Sequence, residues 1–477
     1  MRGRRQRRWF ARCLGVAAVC AGLTSGLLAP VATAAPQPSP PSIAPPPPFG
    51  TVPLPPELDP RFYAPPAGQV ASAQPGQILA ARRISLAAFS VVPIAVDAWQ
   101  VSYRSTNTRG APIPAVATLI TPRGTNPAKT RRLVSWQSAE DSTAQYCAPS
   151  YVLQQGSVPG PVSGSVDSSL EVLQIASLLA TGSSVVVADH EGPQSAFAAG
   201  PLAGRIVLDG IRAARSFTPL GLAPDARIGM IGYSGGAIAT GWAAELQQSY
   251  APELHITAAA EGGVPADIRA LVDLANRNLG SGLIMAGIIG VSREYPELAR
   301  FIAARVNPLG RALLSAKNPL CLAYQATLAP FVDIKGLFVG PGDPLDQPVP
   351  RRVLGRLKLG STVPTMPLFV YQSHPDWIAP VGPVDALVRT YCAAPGARVE
   401  YLRDHFSEHI SLAVVGFLAA MLWLNDRLDG KPARTGCSTN DVGTIAGDPR
   451  VRQAFVAQVG DVLGGIVQRQ LGNPPRR

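Results

Sequence analysis

The sequence predicts an α/β fold: a mostly parallel, doubly wound sheet with a block of helices inserted late in the chain. Three observations predict it. Short apolar runs of strand length alternate with helical stretches from Leu133 to Leu424, the pattern of strands joined by crossover helices. A strand, a glycine-rich turn and a helix follow one another without a break over residues 226–250. About a hundred residues then separate two strands, and they hold apolar helical stretches, where a structureless loop of that length would be implausible.

Taken in order, the N-terminus reads as a secretory signal. Six arginines (Arg2, Arg4, Arg5, Arg7, Arg8, Arg12) precede an apolar run from Cys13 to Val31, and Ala32-Thr33-Ala34 offers a small-residue cleavage site. Gln6-Arg7-Arg8-Trp9-Phe10 faintly resembles a twin-arginine export signal. Residues 35–66 are proline-rich and read as an extended spacer, so the folded region is expected to start near Gly68. Val96–Ser105 and Ala115–Thr121 alternate as two antiparallel strands around the turn Asn107-Thr108-Arg109-Gly110. Leu133–Trp136 and Ser184–Ala188 suit central parallel strands, with Ser169–Thr181 as their crossover helix. Ala226–Ile231, Ile256–Ala260, Leu368–Tyr371 and Val399–Leu402 continue the set. The main domain is expected over 67–437, with the helical cap at about 264–363 and a C-terminal extension over 438–477. Leu412–Leu424 is strongly apolar but only 13 residues long, short of the about 20 that cross a bilayer, so it reads as a core helix and no transmembrane span is expected after signal removal.

Composition excludes some functions. The chain is 47% hydrophobic and 15% charged, which supports a sizeable core and excludes a disordered chain. The formal charge of +11 falls to +5 once the six N-terminal arginines are removed, and no basic cluster is interleaved with aromatics, which argues against nucleic-acid binding. Four cysteines lie beyond the signal: Cys147, Cys321, Cys392 and Cys437. An even number in an exported chain predicts two disulfides, with three pairings open.

The chemistry centres on Gly232-Tyr233-Ser234-Gly235-Gly236, which fits G-x-S-x-G. In an α/β-hydrolase that turn lifts a serine hydroxyl to the top of the sheet, and its glycines permit the strained backbone. A serine needs a base to take its proton and a third group to orient that base, in the chain order serine, acid, histidine. Asp376 follows the strand Leu368–Tyr371 in a polar loop ending Ile378-Ala379-Pro380, so it is the expected acid; Asp343 and Asp346 are rivals without a central strand before them. His409 and His405 both follow the last strand, and His409 is favoured because it stands at a loop-to-helix junction. His405-Phe406-Ser407-Glu408-His409 also fits H-x-x-E-H, but that zinc motif needs an established helix and a further ligand, so no metal is expected. No cofactor motif is found. One oxyanion donor should be the N–H of Gly235, and the second should come from residues 138–142, after the strand Leu133–Trp136. Asp189-His190-Glu191 reads as a polar loop with structural hydrogen bonds.

In these features the chain resembles the secretory lipase family of fungi and actinobacteria. The resemblance rests on Glu140-Asp141-Ser142-Thr143 with Cys147-Ala148-Pro149-Ser150, on Ala188-Asp189-His190-Glu191-Gly192-Pro193, on the elbow, on Pro375-Asp376 and on Glu408-His409, over roughly residues 60–440. It implies Ser234, Asp376 and His409 as catalytic triad, Asp141 and Gly235 as oxyanion donors, and the disulfides Cys147–Cys321 and Cys392–Cys437. It implies a lipid or other ester as substrate, reached by an exported, secreted or envelope-bound enzyme. Acyl transfer to an envelope alcohol or glycolipid would use the same residues. A peptidase of similar fold, or a non-catalytic envelope-binding protein, fits less well: the apolar cap argues against the first, and an intact elbow, acid and base against the second.

Overall fold

The computed structural model describes residues 43–44, 52–123, 131–466 and 471. The expected signal and cleavage site, and much of the proline-rich stretch, lie outside the described residues. The sheet strands are β1 (Ile43–Ala44), β2 (Ile78–Ile84), β3 (Val96–Thr106), β4 (Pro112–Pro122), β5 (Arg132–Gln137) and β6 (Ser183–Ala188). They continue as β7 (Ile228–Tyr233), β8 (Ile256–Gly262), β9 (Leu368–Ser373), β10 (Val399–Asp404) and β11 (Cys437–Val442). Their order is β1-β2-β3-β4-β6-β5-β7-β8-β9-β10-β11. From β6 to β11 every pair is parallel, and β2, β3, β4 and β6 pair antiparallel.

The central strands are buried on both faces, and their alternation feeds two cores. Leu133 and Val186 point to one, Val134, Trp136, Val185 and Val187 to the other. The first core is closed by α2 (Gly200–Ser216), α3 (Gly235–Tyr250) and α10 (Val381–Cys392), the second by α1 (Val166–Ala180) and α11 (His409–Leu428). Helices on both faces are what parallel crossovers require. α11 is long and apolar enough to cross a membrane by length and composition, but Leu412, Phe417, Leu418 and Leu424 are spent on the second core.

Between β8 and β9 lie six helices: α4 (Ile268–Ala275), α5 (Ser281–Glu294), α6 (Pro296–Arg305), α7 (Pro308–Lys317), α8 (Leu322–Thr327) and α9 (Pro348–Leu357). They build a small core of their own from Met285, Val306, Ile334 and Leu337. The disulfide Cys147–Cys321 ties this insertion to the loop after β5, and Cys392–Cys437 ties α10 to the edge strand β11.

Two expected boundaries move. Structure begins before Gly68: Pro60–Tyr63 is helical, Phe62 and Tyr63 are buried, and the Tyr63 hydroxyl meets Ser150 Oγ at 2.9 Å. The sheet also continues past Cys437, because β11 pairs with β10, and α12 (Pro449–Ile466) follows it. Apolar periodicity misses β11 because most of its side chains face solvent; backbone pairing and a disulfide hold it.

Candidate active site

Ser234 sits between β7 and α3 with φ 51° and ψ −118°, and its N–H donates to Gly262 O at 2.9 Å. A non-glycine residue held there stores on the order of 1–3 kcal/mol of backbone strain. The flanking glycines are required by close approach. A Cβ on Gly232 would lie 2.4 Å from Gly236 O, and one on Gly236 would lie 2.1 Å from Gln137 O.

His409 is the first residue of α11 and is buried. Its Nε2 lies 2.9 Å from Ser234 Oγ and its Nδ1 lies 2.8 Å from Asp376 Oδ2. An ionised Asp376 only accepts, so Nδ1 carries the hydrogen and Nε2 is left to accept from the serine. Asp376 also accepts from Ser373 Oγ at 2.7 Å, Gln372 Nε2 at 3.0 Å, Ile378 N–H at 2.8 Å and Ala379 N–H at 2.7 Å. Burial pushes this carboxyl up, but His409 and the other donors outweigh it and hold it below the usual carboxylate range. The Tyr233 hydroxyl donates to His409 O at 2.5 Å, and its ring packs on the imidazole with centroids 5.2 Å apart.

Asp141 and Gly235 meet beside the serine: a Cβ on Gly235 would lie 1.6 Å from Asp141 Oδ1. Gly235 is the first residue of α3, where a backbone N–H has no acceptor one turn back and the helix dipole is positive. Asp141 lies in the loop after β5 at φ 43°. Both residues and Ser234 line a narrow cavity of about 90 Å³. The insertion supplies most of its wall, through residues such as Ile284, Ile288, Val291, Phe301 and Phe338.

Other candidates lie elsewhere. His405 Nε2 pairs with Asp441 Oδ1 at 2.7 Å, and its Nδ1 lies 3.2 Å from Nδ1 of His374. Asp343 holds Lys335 at 2.6 Å, and Asp346 pairs with Arg269 at 2.5 Å. In the H-x-x-E-H stretch Glu408 caps α11 and accepts from Trp377 Nε1 at 2.9 Å, while the imidazole nitrogens meet Asp441 and His374 in one case and Asp376 and Ser234 in the other. Sequence reasoning missed Gln372, Ser373 and Tyr233. Ser373 and Gln372 adjoin the acid's loop, but only the fold shows that their side chains turn back to Asp376.

A serine on a strand–turn–helix elbow, in a parallel sheet with helices on both faces, defines the class: an α/β-hydrolase. Residues 158–436 match the secretory lipase family. Lipase A of Arthroderma benhamiae is 36% identical over 428 residues, 88% of this chain and 90% of that one. A "probable inactive lipase" of Mycobacterium tuberculosis is 39% identical over 388 residues, 80% and 84% of the two chains. The solved structure of Candida antarctica lipase A in its closed state superposes with a TM-score of 0.78 at 28% identity, over 89% of this chain and 99% of that one. The chain belongs to the secretory lipase family and is a lipid ester hydrolase.

Proposed function

We propose that the chain hydrolyses esters of long-chain fatty acids through an acyl-enzyme on Ser234. One observation carries this reading: the hydrogen-bonded series Ser234–His409–Asp376 opens into an apolar cavity walled by the insertion. Ser234 Oγ attacks the ester carbonyl as its proton passes to His409 Nε2. Asp376 holds the imidazole in the required tautomer and stabilises the imidazolium that forms. The N–H groups of Asp141 and Gly235 receive the charge on the carbonyl oxygen. His409 protonates the leaving alcohol, then takes a proton from a water whose oxygen bonds to the acyl carbon; the bond from Ser234 Oγ to that carbon breaks, the proton returns to Ser234 Oγ and the acid leaves. The helices α4–α9 serve as the cap, and the acyl chain occupies the cavity beneath them.

The test is turnover of p-nitrophenyl esters from acetate to palmitate, and of a triacylglycerol emulsion, by the purified chain and by S234A. Turnover by the wild type that rises with chain length, and its loss in S234A, is expected; wild-type turnover that persists in S234A overturns the reading. A non-catalytic reading draws on the M. tuberculosis relative named as probably inactive. Failure of the wild type on every ester, in a folded sample, would favour it.

We also propose export with cleavage after Ala34. The N-terminal basic and apolar pattern, the two disulfides and the family's secretory character support it. Sequencing the N-terminus of protein from the culture medium should begin at Ala35; an intact Met1 start would exclude cleavage.

A further inference from the structure

The loop that carries Asp141 is gripped along its length by side chains from other elements. His190 Nε2 lies 2.8 Å from Ser138 O, which only accepts, so that nitrogen carries the hydrogen. Burial keeps the ring neutral, with its pKa down at about 4. Glu171 of α1 accepts from Ala139 N–H at 2.8 Å, and Glu191 accepts from Ser142 N–H at 3.1 Å. Arg293 of α5 donates to Thr143 O at 2.7 Å. Asp189, one residue before His190, is itself fixed by Ser150 N–H at 2.8 Å and Ser150 Oγ at 2.6 Å.

Within this clamp the protons can be counted. Ser142 Oγ lies 3.1 Å from Glu140 Oε1 and 3.1 Å from Glu191 Oε2. A hydroxyl has one hydrogen to give. If both carboxyls were ionised, one of these contacts would set oxygen against oxygen with no hydrogen between them. If one is protonated, it donates to Ser142 Oγ, and Ser142 donates to the other. Both glutamates are 3% exposed, as is Asp141, and Asp189 is 7% exposed, so water does not relieve the conflict. Arg293 faces Glu191 from the insertion, while its own N–H groups are directed at Gln194 O, Ser195 O, Thr143 O and Asn318.

We propose that Glu140 and Glu191 share one proton through the Ser142 hydroxyl, and that this shared proton holds the loop in the shape that aims the Asp141 N–H at the reacting carbonyl. The inference rests on the reading of Asp141 as an oxyanion donor. It makes Glu191 and Glu140 positioning residues, and gives the Asp-His-Glu segment a task in the reaction. Burial, and then the neighbouring carboxylates, push both glutamates well above the usual carboxylate range. The working form is the protonated one. Activity is therefore present below the titration of the pair and lost as pH rises through it, when two buried like charges meet across Ser142. A general base gives the opposite limb, lost as pH falls.

The experiment measures kcat and KM against pH on a soluble ester for the wild type, E191Q, E140Q and E191A, with melting temperatures and infrared spectra of the same samples. In E191Q the amide oxygen still accepts from Ser142 N–H, and the amide N–H₂ donates permanently to Ser142 Oγ. An alkaline fall in wild-type kcat with steady KM is expected. E191Q should keep neutral kcat within about threefold and lose that fall, while E191A should lose kcat on the order of 100-fold, the scale of one oxyanion donor. Infrared difference spectra at neutral pH should show a protonated carboxyl in the wild type that E191Q and E140Q each remove. The proposal is overturned by an alkaline limb in E191Q matching the wild type, by equal kcat losses in E191Q and E191A, or by no protonated carboxyl assignable to the pair. Failure of the catalytic reading looks different: S234A would retain turnover while the infrared band stayed in place.

Discussion

His409 and His405 stand four residues apart after the same strand, and their surroundings separate their roles. His409 is buried between Ser234 and Asp376, whereas His405 is exposed and bound to Asp441 and His374. Replacing His409 by Ala is expected to lower kcat by about 10⁴-fold or more, because a serine without its base is a poor nucleophile. His405→Ala should leave kcat within about twofold and remove only exposed contacts with Asp441 and His374. A kinetic comparison of the two variants decides between them; a larger loss in the His405 variant would reassign the base. The preference for His409 was legible in the sequence as a loop-to-helix junction. Its tautomer was not, because Gln372, Ser373, Ile378 and Ala379 reach the acid only once the loop folds.

At the scale of elements, Glu408 joins the two loops that carry Asp376 and His409. It caps α11 through Ile410 N–H at 2.9 Å and Ser411 N–H at 2.6 Å, and it accepts from Trp377, next to Asp376. Burial pushes its carboxyl up, but those donors outweigh it and bring the pKa to about 2. The sign follows from a folded value below the unfolded one: the stabilisation is present above the unfolded value of about 4.5 and is lost as pH falls towards 2. Glu408→Ala should cost about 1 kcal/mol at neutral pH and less in strong acid, read as the change in urea midpoint; an equal cost at both pH values would remove the carboxylate from the account. On α5, neighbours diverge. Ile288 lines the cavity, while Ile289 does not and is 8% exposed. Each CH₂ buried in the cavity would contribute about 0.8 kcal/mol at most, so under the proposed function a preference for long chains would build over several carbons. Ile288→Asp should depress palmitate-ester turnover at least about tenfold more than acetate-ester turnover, while Ile289→Asp should mainly lower the melting temperature. Equal losses on both esters in Ile288→Asp would place the acyl chain elsewhere.

For the whole molecule, buried carboxyls set the pH range of stability. Burial raises Asp189 to about 7 and Glu261 to about 8, and Glu140 and Glu191 shift in the same direction. Groups whose folded values are raised contribute stability that is full below their unfolded values and lost as pH rises through the folded ones. They therefore weaken the fold progressively from their unfolded values of about 4 upward, and the loss is complete above about pH 7 to 8. The melting temperature should fall from about pH 5 to about pH 8, and replacing Glu261 by Gln should flatten that fall; a melting temperature that rises over the same range would contradict the sign. The 45-residue separation closed by Cys392–Cys437 adds about 4 kcal/mol in the chain-entropy model and secures the edge strand.

Read alone, the sequence determined the sheet class, the strand–turn–helix around Ser234, the helical insertion and the order serine, acid, histidine. These are local features: apolar periodicity marks a strand or helix within a few turns of chain, and a G-x-S-x-G turn demands its glycines wherever it occurs. Tertiary structure alone decided which residues surround the reacting atoms. Glu191 meets Ser142 across 49 residues, Tyr233 meets His409 across 176, and Glu171 grips Ala139 across 32. It also decided that Phe62 and Tyr63 pack in a stretch that reads as a spacer, and that β11 joins the sheet without an apolar face. Such contacts depend on distance through space, and a burial or a proton shared between loops has no periodic signature along the chain.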